Sequence, residues 1–169
     1  EEGALTAMAV PLSRARLGDI DPAVARPRYA PEDLGPGIVH IGVGNFHRAH
    51  QAVYLDELFN RGIDRDFALV GTGVRDHDAA MRQDLLAQDL LTTVVAREAT
   101  SSQARVTAPM VGFLAPGDTP AILAALSDPR TRIVSLTVTE GGYYIDPATQ
   151  AFDATHPDIA ADVASGLSR

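Results

Sequence analysis

The sequence contains no cysteine, no tryptophan and no lysine; its 14 basic residues are all arginine. Each absence removes a class of chemistry. Without Cys there is no disulfide framework, no thiolate metal site and no Cys nucleophile. Without Lys, no Schiff base, P-loop or lysine general base can come from this chain. Positive charge is scarce as well: 14 basic residues face 22 acidic ones, for a net charge of -8. Nucleic acid is therefore not the expected partner, because binding a phosphate backbone needs a basic face. No apolar stretch approaches the ~20 residues that a membrane helix requires. The opening EEGALTAMAV has neither the basic nor the apolar region of a secretory leader. The expectation is a cytoplasmic protein without a membrane partner.

What is present reads as globular. The chain has 169 residues, 46% hydrophobic and 21% charged, enough for one domain that buries roughly 70% of its unfolded surface. Residues 1–37 are broken by Pro11, Pro22, Pro27, Pro31 and Pro36 and are expected to form an arm over the main body. Regular patterning starts at Ile38. Residues 38–43 (IVHIGV) form a short apolar run suited to a buried parallel strand. Residues 46–61 have helical periodicity, with Phe46, Ala49, Val53, Tyr54, Leu55 and Leu58 as the expected apolar face and Gly62 as the stop. Strands are expected at 67–70, 90–96, 106–114 and 132–138, the last a strongly buried one. Pro109 marks an edge or irregularity in the strand at 106–114. Helices are expected at 78–87, from 118 or 119 to 126, and at 158–164. This alternation predicts an α/β, Rossmann-like fold with a mainly parallel sheet flanked by helices.

The strongest local signal is a strand, then Gly42-Val43-Gly44-Asn45-Phe46-His47, then a helix. In such a turn the first Gly permits the tight bend and the second lets a pyrophosphate approach the backbone. The free N–H groups of the helix start then bind the phosphates. His47 stands where the usual fingerprint has its third Gly. The alternative is a purely structural strand–helix turn. After the second strand comes Arg75-Asp76-His77-Asp78. Acidic residues there favour a free ribose, hence NAD over NADP, or they merely cap a helix. Glu140, in Thr139-Glu140-Gly141-Gly142 after a strand, is placed to face the reacting part of a ligand, or is a solvated turn carboxylate. His47 and His50 lie on adjacent turns near His40, Asp56 and Glu57, but no HExxH-type signature exists, and no metal is expected. Arg48 suits a phosphate or carboxylate contact, or a surface ion pair.

Three stretches together resemble the mannitol dehydrogenase family of long-chain polyol dehydrogenases. They are residues 38–58 (IVHIGVGNFHRAHQAVYLDEL), 68–95 (ALVGTGVRDHDAAMRQDLLAQDLLTTVV) and 132–146 (RIVSLTVTEGGYYID). The resemblance covers about residues 32–165. It accounts for the missing third Gly, since FHRAH is that family's form of the turn. It implies an NAD-dependent oxidoreductase, with NADP the alternative, that interconverts a polyol and a ketose without a metal. A uronate reductase of the same family and a non-catalytic nucleotide-binding module are the alternatives.

The implied cofactor-binding residues are Ile41, Gly42, Val43, Gly44, Asn45, Phe46, His47, Arg48, Asp78, Thr139 and Gly141. Glu140 is implied as an accessory group on the proton path. The family's catalytic lysine, with Asn and His partners, lies in a helical C-terminal substrate domain. The lysine-free chain is thus expected to be the cofactor part only: an arm (1–37) and an incomplete NAD-binding Rossmann domain (38–169), inactive by itself.

Overall fold

The computed structural model describes residues 11–75, 78–138 and 140–166. It divides into two units, the first running to Thr137 and the second starting at Val138.

The first unit is built on β1 (Pro36–Ile41), followed by α1 (Asn45–Ala49), α2 (Gln51–Asn60), β2 (Ala68–Thr72) and α3 (Asp78–Ala87). Then come β3 (Thr92–Arg97), β4 (Ser102–Thr107), β5 (Met110–Phe113), α4 (Thr119–Leu126) and β6 (Ile133–Leu136). Four strands form a parallel sheet in the order β5-β2-β1-β6. The chain builds outward from β1 through β2 to β5, then crosses back to place β6 on the other side of β1. The strand order therefore reverses between β1 and β6, and in open α/β sheets such a switch point opens the crevice where ligands bind.

Local chemistry explains most boundaries. Helix α2 ends in a Schellman motif: Gly62 N–H donates to the Phe59 carbonyl and Ile63 N–H to the Leu58 carbonyl, with Gly62 at φ +76°. Asp118 caps α4 by accepting from Ala121 N–H at 3.1 Å, and Pro120 takes the second helical position, where no N–H is needed. Helix α3 spans the expected residues 78–87.

Three expectations are corrected. The helix of 46–61 breaks at His50 (φ -124°, ψ -76°) into α1 and α2. Its buried residues are His47, Ala52, Asp56 and Phe59, whereas Phe46 and Tyr54 are exposed. Leu55 and Leu58 of the expected face do pack against the core, but the most buried stripe is offset from it and has Asp56, a carboxylate, in its middle. There it accepts from the Tyr29 hydroxyl, Asn60 Nδ2 and the Ala108 N–H, which compensates its burial. Burial raises the Asp56 pKa above its ordinary value despite these donors.

The strand expected over 106–114 is two strands. Strand β4 pairs antiparallel with β3 in a hairpin, while β5 joins the parallel sheet. Pro109, without an N–H for a continuous ladder, sits between them; its carbonyl accepts from Leu69 N–H. The third correction concerns β6, which is largely exposed rather than buried.

The core has two clusters. Ile38, Val43, Ala52, Leu69, Leu85, Met110 and Phe113 form one; Tyr29, Phe59, Ala68, Leu91, Val106 and Ala108 form the other. Leu12, Leu17, Ile20 and Val24 pack on the second cluster, and Ala25 bridges to Arg105, so the described part of the arm lies against the body.

The second unit holds a 3-10 turn at Glu140–Tyr143, an Ile145–Phe152 bridge and α5 (Pro157–Ala164). Among the described residues no helix is long and apolar enough to cross a membrane.

Candidate functional site

The glycine turn lies at the switch point. Gly42 follows β1 at φ +91°, a conformation that side chains rarely adopt, so this position requires Gly. Its N–H donates to the Thr72 carbonyl of β2 at 2.9 Å, and its carbonyl accepts from Gly44 N–H at 2.8 Å. A Cβ at Gly44 would meet nothing closer than the Gly42 carbonyl oxygen at 3.9 Å. That open space above the backbone is what a close phosphate needs. Asn45, Phe46 and His47 open α1, and first-turn N–H groups have no acceptor within their helix.

A polar chain supports the turn from beneath. The buried His40 of β1 contacts Ser135 Oγ of β6 through Nδ1 at 2.8 Å and the Gly42 carbonyl through Nε2 at 3.2 Å. A carbonyl only accepts, so Nε2 carries the proton and Nδ1 accepts from the Ser135 hydroxyl. Gln51 Nε2 donates to Ser135 Oγ at 3.4 Å, and Thr137 Oγ1 lies 3.2 Å from His40 Nε2. This network links β1, β6 and α2 at the base of the crevice. Burial lowers the His40 pKa, which keeps the ring neutral and this proton arrangement intact.

His47 stacks on His40, with ring centroids 3.9 Å apart and planes at 16°. It is 1% exposed, and neither of its ring nitrogens has a hydrogen-bond partner among the described residues. Burial first, then the neighbouring His40 ring and Arg48 charge, push its pKa down to about 3. Its ring fills the volume between helix and strand that a third glycine would leave empty.

The other residues singled out from the sequence fare differently. Arg48 folds back over the turn, donating from Nη2 to Asn45 Oδ1 at 2.6 Å and from Nε to the Gly44 carbonyl at 3.4 Å. His50 is exposed with its ring against Phe46, so His47 and His50 do not converge. Among the described residues no group of three His, Asp or Glu could hold a metal ion.

Asp78 opens α3, and its Oδ2 accepts from the Val74 and Arg75 N–H groups at 3.1 and 3.0 Å. A Cβ at Gly73 would overlap the Asp78 carboxylate, so that glycine lets the side chain close over the turn after β2. Asp76, His77 and Thr139 lie outside the described residues, while Glu140 and Gly141 lie in the 3-10 turn of the second unit. The residues that sequence reasoning missed are Ser135, Thr137 and Gln51. Their signal was weak: Ser135 and Thr137 interrupt an apolar strand two residues apart.

A parallel α/β sheet with a glycine turn at its switch point defines a Rossmann-type nucleotide-binding domain. The model of the mannitol dehydrogenase Rossmann domain matches residues 36–167. The chain belongs to the mannitol dehydrogenase family. It is 60% identical over 143 residues to a mannitol 2-dehydrogenase of Cereibacter sphaeroides, covering 84% of this chain and 30% of that protein. Among solved structures it resembles Pseudomonas fluorescens mannitol 2-dehydrogenase in ternary complex with NAD and D-mannitol. The TM-score there is 0.79 at 42% identity, covering 90% of this chain and 32% of that one. A substrate-free D-sorbitol dehydrogenase matches with a TM-score of 0.74 at 36% identity, covering 92% and 33%. The chain thus spans about a third of the length of the relatives it matches.

Proposed function

We propose that this chain is the NAD-binding part of a polyol dehydrogenase of the mannitol 2-dehydrogenase type. The observation that carries the reading is the Gly42–Gly44 turn, forced at Gly42 and open above Gly44, at the switch point of the sheet. In this reading the segment Ile41, Gly42, Val43, Gly44, Asn45, Phe46, His47 and Arg48 holds the pyrophosphate. The first-turn N–H groups of Asn45, Phe46 and His47 donate, and Arg48, anchored over the turn, adds a positive charge. The His40–Ser135–Gln51 chain keeps the Gly42 carbonyl turned inward, away from the phosphates.

Asp78 is the acidic group at the end of β2 and is assigned to the adenosine ribose, which favours NAD over NADP. Thr139 and Gly141 are assigned to the nicotinamide side, and Glu140 to the accessory proton path. Bound NAD would supply the hydride acceptor. The chain's own residues position it but include no lysine to take the hydroxyl proton, so polyol oxidation by this chain alone is not expected. The substrate class is a polyol or its ketose, with a uronate reductase the second reading within the family. A cytoplasmic setting follows, since such an enzyme draws on the intracellular nicotinamide pool.

Calorimetric titration with NAD tests the reading. Gly44→Asp keeps an acceptable helix N-cap but puts a carboxylate beside the proposed phosphate position. The wild-type chain is expected to bind NAD, and the variant to bind at least about 100-fold more weakly, an increment of about 2.7 kcal/mol. Equal binding by both, or none by the folded wild type, would overturn the assignment.

A further inference from the structure

A second concavity lies away from the glycine turn, between the arm, the C-terminal half of α2 and β4. It is an open concavity of about 380 Å³, within the range of small-ligand pockets. Its charged lining is Arg26, Arg28, Arg61, Arg105, Asp56 and Glu57. Four of the 14 arginines of an acidic chain thus converge on one cavity.

The two carboxylates do not cancel them. Asp56 is buried and committed to Tyr29, Asn60 and the Ala108 N–H. Glu57 is taken by Arg105 Nη1 at 2.7 Å. Arg26 spends one donor on the Leu17 carbonyl at 2.6 Å and has no carboxylate partner among the described residues. The guanidinium groups of Arg28 and Arg61 have no partner among the described residues. Three arginines without a carboxylate partner among the described residues therefore line one concavity, one of them held by a backbone carbonyl and the other two exposed. Guanidinium forks match the oxygens of a phosphate in bidentate fashion. The concavity also has room for a small organic group beside a phosphate.

We propose that this cavity is a binding site for a small phosphomonoester dianion, separate from the dinucleotide crevice, with Arg26, Arg28 and Arg61 as its anion contacts. It is a binding site without chemistry: no nucleophile or unassigned general base lines it.

Calorimetry on the whole 169-residue chain tests this, with inorganic phosphate, mannitol 1-phosphate and mannitol as probes. The proteins are the wild type, Gly44→Asp and the double variant Arg28→Gln/Arg61→Gln, each checked for folding by circular dichroism. The expected result is saturable binding of mannitol 1-phosphate but not mannitol. Gly44→Asp should retain it, and the double variant should weaken it at least tenfold, while NAD binding in the double variant stays at the wild-type value. Equal affinity for inorganic phosphate and the monoester, lost in the double variant, supports the anion site and assigns it to free phosphate. Absence of saturable binding, or binding lost in Gly44→Asp and kept in the double variant, would overturn the proposal.

Discussion

Strands β1 and β6 are neighbours with similar sequences and opposite environments. They pair in parallel, Ile38 with Ile133 and Val39 with Val134. Yet Ile38 and Val39 are 4% and 1% exposed, while Ile133 and Val134 are 44% and 50% exposed. Intrinsic strand preference is the same on both sides of the ladder, since both runs are β-branched and apolar. The difference is neighbours: β1 has a strand on each side, whereas β6 has β1 alone among the described residues. Apolarity reports that a segment forms a strand suited to burial; it does not report which partners supply that burial. Where the two strands touch, their polar residues meet as well, His40 with Ser135, and these carry the glycine turn.

The contrast can be broken at its ends. Val39→Asp puts a carboxylate into the buried strand with no donor to receive it. A loss of at least about 4 kcal/mol is expected, enough to prevent folding in a marginal domain. Urea denaturation read by circular dichroism checks it; a loss under about 1 kcal/mol would mean that β1 is not the central strand described.

An intermediate effect belongs to His47. The fold holds this imidazole neutral down to about pH 3, while the unfolded chain takes up a proton near pH 6.5. Its contribution is harmless above pH 6.5, and stability is then lost as the pH falls toward 3, by roughly 1.4 kcal/mol per pH unit. The comparison of wild type with His47→Phe isolates it. By pH 5 the wild type should have lost about 2 kcal/mol more, relative to pH 7.5, than the variant. Parallel pH profiles would show that the buried imidazole does not resist protonation.

The smallest effect is expected at β6. Val134→Asp, the partner position of Val39, should cost less than about 1 kcal/mol in this chain, as surface substitutions do. A cost near that of Val39→Asp would show that β6 is covered in solution.

Much of this was legible in the chain itself. Gly42 and Gly44 between a strand and a helix marked the turn because no other residue type suits both the positive φ and the open approach. Asp118-Thr119-Pro120 marked a helix start, and the helix expected at about 78–87 was found there. Other features depend on distant segments. The buried face of α2 was read only in part, through Leu55 and Leu58, because Asp56 counts as polar until Tyr29, 27 residues away, and Ala108, 52 away, are seen to satisfy it. Pro109 announced an irregularity but not that the chain leaves one sheet for another there. His47 as a buried ring with unpartnered nitrogens was illegible, since local pattern places a histidine in the first turn of a helix at the surface.

Local backbone chemistry was therefore settled by the amino-acid order: where glycine is obligatory, where helices start, and that no lysine chemistry resides in the chain. Turn conformations and caps involve residues a few positions apart, so their energetics are written locally. Burial, protonation and polar pairing were decided only when the sheet assembled. Dielectric environment and hydrogen-bond partners come from segments up to 97 residues apart, as between His40 and Thr137. The same residue types in β1 and β6 thus became a sealed core strand on one side and an exposed apolar edge on the other.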